Sequence, residues 1–173
     1  MKPETITKQI FKIIPALLLV TLSAFLLQGD VWTFWTWYLL ALVLGAAAMP
    51  LTGRLFRRFQ DRGWMFSKVT AIAVSGFLTW FLVAVKIIKF TTMTCIVVTL
   101  VCAAASLILY CREQKAGFEC IPFVHLDLVY AEELLFFAAF LLWTYFAGFH
   151  PAAYGTEKFM DYGFMEAMMR SKT

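Results

Sequence analysis

The 173-residue chain is 62% hydrophobic and 15% charged, with a mean hydropathy of +0.78, whereas ordinary soluble domains carry about 25% charged residues. That balance excludes a soluble globular domain, because only lipid accepts apolar side chains on the outside of a bundle as well as on the inside. The net charge of +4 is spread between apolar runs and forms no continuous stripe, which argues for charges that orient the chain in a membrane and against a nucleic-acid partner.

About 20 apolar residues cross the hydrocarbon of a bilayer, and five stretches come close to that length. The first covers 10–27, and Lys2, Lys8 and Lys12 stand before its apolar run of 13–27. Its end at Gln28, Gly29 and Asp30 offers no small-x-small cleavage site, so it reads as an uncleaved span and not as a signal peptide. The second runs over 32–51 and opens with Trp32, Trp35, Trp37 and Tyr38, read as interface aromatics. On it Ala41, Gly45 and Ala48 put small side chains on one face, where a neighbouring helix can approach closely.

The third span is expected over 69–85, closed by Lys86 and Lys89, whose long side chains can snorkel to headgroups. The fourth covers 92–110, with a soft start among Thr91, Thr92 and Thr94, and the fifth covers 128–149. The four cysteines, Cys95, Cys102, Cys111 and Cys120, lie in a span or a loop without a disulfide-scaffold pattern and read as free thiols. The fold class is therefore all-α: a polytopic transmembrane bundle of five spans over 1–149, followed over 150–173 by a loop and an amphipathic helix.

Lys and Arg gather on the cytoplasmic side of membrane proteins. With the N-terminus inside, that side holds Lys2, Lys8, Lys12, Arg54, Arg57, Arg58, Arg62, Lys68, Arg112 and Lys115. The other holds Lys86, Lys89, Lys158, Arg170 and Lys172. The expected placement is a plasma membrane with a cytoplasmic N-terminus and an extracytoplasmic C-terminal segment.

Charge at bilayer depth costs at least about 2.5–3.5 kcal/mol, which makes the ionisable groups in or near spans the candidates for chemistry. Glu132 and Glu133, with His125 and Asp127 just before them, open the fifth span. They either pair with a basic group on another helix or sit wet at the interface. In the last segment Thr156 is a candidate N-cap and Glu157 an acid that complements the helix dipole. At 100° per residue, Glu157, Asp161, Phe164 and Met168 share one stripe, while Glu166 and Arg170 fall opposite at i,i+4 spacing. Two acids then stand at one end of an apolar face. Either they are desolvated for a partner, a metal or a reaction, or the first turn projects into water. No phosphate-binding glycine loop, nucleophile elbow or Cys/His pair at metal-ligand spacing occurs.

The run Gly155-Thr156-Glu157-Lys158-Phe159-Met160-Asp161-Tyr162-Gly163-Phe164, followed by Met169-Arg170-Ser171, resembles the signature of the YYY membrane proteins. Upstream, Ala48-Met49-Pro50-Leu51-Thr52-Gly53-Arg54-Leu55-Phe56, Asp61-Arg62-Gly63, Ser67-Lys68 and Trp80 resemble that family's second-loop pattern, and Glu133-Leu134-Leu135-Phe136 with Trp143 the start of its fifth span. The resemblance runs from about Trp37 onward. It departs at Ala147-Gly148, where an arginine is expected, and in lacking the triple tyrosine that names the family, which implies the N-terminal portion of a longer chain.

That family is grouped, on weak similarity, with the GT-C glycosyltransferases, so the resemblance implies sugar transfer from a polyprenyl-phosphate-linked donor. It implies Glu157 and Asp161 as catalytic or metal-binding acids, with a divalent cation as the cofactor, and Lys158 and Arg170 as substrate contacts. The competing expectation is a non-enzymatic membrane subunit or transporter fragment whose acids pair with a partner membrane subunit. The bilayer is a partner in both.

Overall fold

The computed structural model describes residues 3–117, 125–149 and 158–170, with the side chains of 3–12, 158 and 159 left out of the description. Every regular element among the described residues is helical, as hydrocarbon demands of a backbone that must satisfy its own polar groups. Helix α1 covers Pro3–Leu27, a 3-10 turn covers Gln28–Asp30, and α2 covers Val31–Leu55. Then follow α3 (Trp64–Ala84), α4 (Thr92–Lys115), α5 (Leu126–Gly148) and the short α6 (Lys158–Arg170).

Three stretches are long and apolar enough to cross a membrane: Ile13–Leu55, Trp64–Ala84 and Thr92–Lys115. The first is 43 residues, room for two crossings of about 20 residues each, and Gln28 with φ +43° breaks it between α1 and α2. Helix α5 is not among the three, and it carries Asp127, Glu132 and Glu133 near its start. The surface of these helices is greasy: Phe25 is 76% exposed, Leu100 63% and Trp143 75%. Side chains of that size turned outward are the mark of contact with lipid.

Helix α2 is the hub, packing along α3 and α4, while α1 lies chiefly against α5. The small face of α2 is where α3 comes closest. A Cβ added at Gly45 would stand 2.8 Å from Lys68 Cγ and 2.9 Å from Ser67 Oγ, so any larger residue would push α3 away. The buried core joins Phe34 and Tyr38 of α2 to Phe137 and Leu141 of α5, with Leu19, Leu26 and Leu27 of α1 against them. Its rings meet edge to face, Tyr38 on Phe137 at 4.8 Å and Phe34 on Phe137 at 5.4 Å.

Two local devices fix the helix starts. Thr91, in extended conformation, accepts the Thr94 amide at 3.2 Å and so begins α4 at Thr92. Gly63, at φ +78°, turns the loop after α2 into α3 at Trp64, five residues before the expected start of that span. A Cβ there would lie 2.6 Å from Phe56 Cδ2, so both conformation and space require glycine.

Candidate functional site

Polar groups converge where α2, α3 and α5 meet. The carboxylate of Glu133, on α5, accepts three hydrogen bonds from two other helices. Tyr38 Oη of α2 donates to Oε1 at 2.8 Å, and Trp64 Nε1 and Lys68 Nζ of α3 donate to Oε2 at 2.9 and 2.6 Å. Lys68 is 3% exposed, and its ammonium also lies 4.5 Å from the ring centroid of Phe136 and 4.9 Å from that of Trp64. Cation, anion and two neutral donors therefore answer one another, the condition under which a buried charge is tolerable.

Beside this pair Asp61, 6% exposed in the loop before α3, lies within interaction range of the Glu132 carboxyl. One oxygen of Glu132, Oε2, is buried without a partner among the described residues. Four ionisable side chains thus form one node at the junction of three helices.

The node corrects several expectations. Lys68, counted among the loop charges that orient the chain, lies on α3 and is buried as the partner of Glu133. Tyr38, read as an interface aromatic, is 8% exposed and turned inward, whereas Trp32 and Trp37 of the same cluster do face outward at 81% and 60%. Of the two alternatives for the glutamates, the structure selects pairing with a basic group for Glu133. Trp64 was not singled out at all. Its signal was faint: an indole needs a hydrogen-bond acceptor, but the sequence does not say which helix carries it.

Helix α6 is organised differently. Asp161 stands in its first turn and is exposed. Tyr162 Oη donates to Glu166 at 3.2 Å and Arg170 pairs with Glu166 at 2.5 Å, the expected i,i+4 contact. On the apolar stripe Phe164 is 62% and Met168 45% exposed, and α6 as an element packs on no other described helix. Glu157 and Thr156 lie outside the described residues, as does Cys120, and nothing is described of the Lys158 side chain. Cys95, Cys102 and Cys111 are free thiols. Among the described residues no three His, Cys, Asp or Glu side chains come together to hold a metal ion.

A family model described as an uncharacterized membrane protein, DUF2298, matches residues 74–173. The chain belongs to the DUF2298 family. No curated protein and no solved structure matches it. The DUF2298 match takes in Glu132, Glu133, Asp161 and Arg170, while Tyr38, Asp61, Trp64 and Lys68 precede it. The node is therefore built from two residues of the matched region and four that precede it.

Proposed function

We propose that this DUF2298 chain is a membrane-embedded portion of a GT-C-like glycosyltransferase that takes its sugar from a lipid-phosphate-linked donor. The observation that carries this reading is the state of Asp161: an acid in the first turn of α6, exposed, on a helix that leans on no described part of the bundle. Asp161 has no bonding partner among the described residues, in contrast to Glu133, whose carboxylate accepts from three donors. In the reaction, an acceptor hydroxyl attacks the anomeric carbon and its proton passes to the Asp161 carboxylate as general base. The bond from that carbon to the phosphate oxygen breaks, and the lipid phosphate leaves with the electron pair.

The described residues do not assemble a ligand set for a divalent cation, so no step is assigned to one. Glu157 is the second acid of this reading, and Lys158 the side chain for the donor phosphate. The reading places α6 outside the cytoplasm and the N-terminus within it. Replacing Asp161 with Asn in the protein in its own membrane, and following transfer from a polyprenyl-phosphate sugar, tests it. Transfer should fall by about 10²–10⁴-fold, the usual contribution of a general base. Unchanged transfer removes Asp161 from the chemistry.

A second reading, a non-enzymatic membrane subunit, is favoured by Arg170. Its guanidinium pairs with Glu166 on the same helix, a role that asks for no substrate. Co-purification with a stoichiometric partner from mild detergent, without any transfer activity, would select this reading.

A further inference from the structure

Helices α2, α3 and α4 do not fill the space between them. They border a partly open cavity of about 360 Å³ lined by Leu44 and Leu51 of α2, Ala71 and Leu78 of α3, and Ala103 and Leu109 of α4, among others. No lining residue carries a charge. Ser106 of α4 is also in the lining, 7% exposed, and its Oγ has no hydrogen-bond partner among the described residues. The other lining hydroxyls with assigned bonds fold back on their own helices, Ser75 to the Ala71 carbonyl and Thr99 to the Cys95 carbonyl. A buried hydroxyl left unpaired is costly, and the Ser106 hydroxyl bears that cost among the described residues.

The size and direction of the space say what fits. Its lining spans 44–51 of α2, 70–78 of α3 and 99–109 of α4, about 10–15 Å at 1.5 Å per residue. A helix about 10 Å across laid along that length would need roughly two to three times the volume available. A single extended hydrocarbon chain is slim enough.

Charge marks one end. Leu51 and Leu109 line the cavity, and three residues further, on the same helix faces, stand Arg54 and Arg112, both exposed. The bond from Arg54 Nη1 to Glu113 Oε1, 3.2 Å, ties these two helix ends together. Lys115 and Arg58, both exposed, extend the basic rim.

We propose that this cavity is a lipid site that holds one acyl chain of an anionic glycerophospholipid. The headgroup phosphate meets Arg112 and Arg54 at the basic rim, and the Ser106 hydroxyl donates to the ester carbonyl of the buried chain. Nothing in this assignment depends on the transferase reading, since it uses none of the residues of α6.

The test is native mass spectrometry of the full chain purified in mild detergent, after exchange into mixed micelles holding equal amounts of phosphatidylglycerol and phosphatidylcholine. One phosphatidylglycerol should remain bound per chain. Ala103→Trp, which fills the cavity, should abolish retention while the melting of helical circular dichroism stays cooperative. Ala71→Leu, a milder filling, serves as the second variant and should reduce retention even if the tryptophan variant fails to fold. Arg112→Gln should keep a lipid but lower the preference for the anionic headgroup about fivefold, the usual worth of one basic residue at an anionic surface. The proposal is overturned by any of four results: no lipid retained by the unaltered chain, equal retention of both lipids, full retention in Ala71→Leu, or a polyprenyl phosphate or a partner protein in place of the phospholipid.

Discussion

Lys68 and Glu133 meet at 2.6 Å with side chains 4% and 17% exposed, while Arg170 and Glu166 meet at 2.5 Å with side chains 81% and 39% exposed. The contacts are alike and their consequences are not. On α6 the pair competes with water, and an exposed i,i+4 pair contributes only about 0.3–0.5 kcal/mol. In the node the pair has replaced its water with Tyr38, Trp64 and aromatic ring faces. Removing one partner there leaves a charge with no solvent to receive it. The buried pair of the bundle holds helices together, whereas Asp161 of α6 is exposed.

The sharpest way to break this contrast is to remove one side of the buried pair. Lys68→Met should cost about 3–5 kcal/mol of stability, read as a lower midpoint when helicity is followed through a denaturing-detergent titration. Lys68→Met combined with Glu133→Leu should recover most of that loss, because the orphaned charge is gone. If the double variant is no better than the single one, the pair does not act as a unit.

Next in size is Tyr38→Phe, which deletes one donor to a carboxylate and should cost about 1.5–3 kcal/mol in the same titration. Gly45→Leu should cost about 1–3 kcal/mol by forcing α2 and α3 apart, and cross-linking between cysteines placed on the two helices should slow. Smallest of all is Arg170→Gln. It should move the midpoint by no more than about 0.5 kcal/mol, and a larger shift would mean that α6 packs on the bundle after all.

Much of this architecture is legible in the sequence. Apolar length alone locates each of the five long helices, with ends that differ by up to seven residues, because the hydrocarbon thickness sets a minimum run. The small face of Ala41, Gly45 and Ala48 announced the close approach that Lys68 and Ser67 make to Gly45. The Glu166–Arg170 contact followed from spacing, since both ends lie on one helix. The start of α3 was missed by five residues. Lys68 interrupts the apolar run as if it were a loop residue, and only its buried partner reveals it as part of the helix.

By itself, the sequence determined what depends on local composition and on distance along one helix: membrane residence, an all-helical chain, and pairs one turn apart. Tertiary structure alone decided which charges are buried and what answers them. Tyr38 and Glu133 are 95 residues apart in the chain, and Lys68 and Glu133 are 65 apart. Helical periodicity fixes which way a side chain points about its own axis, but not which other helix lies in that direction.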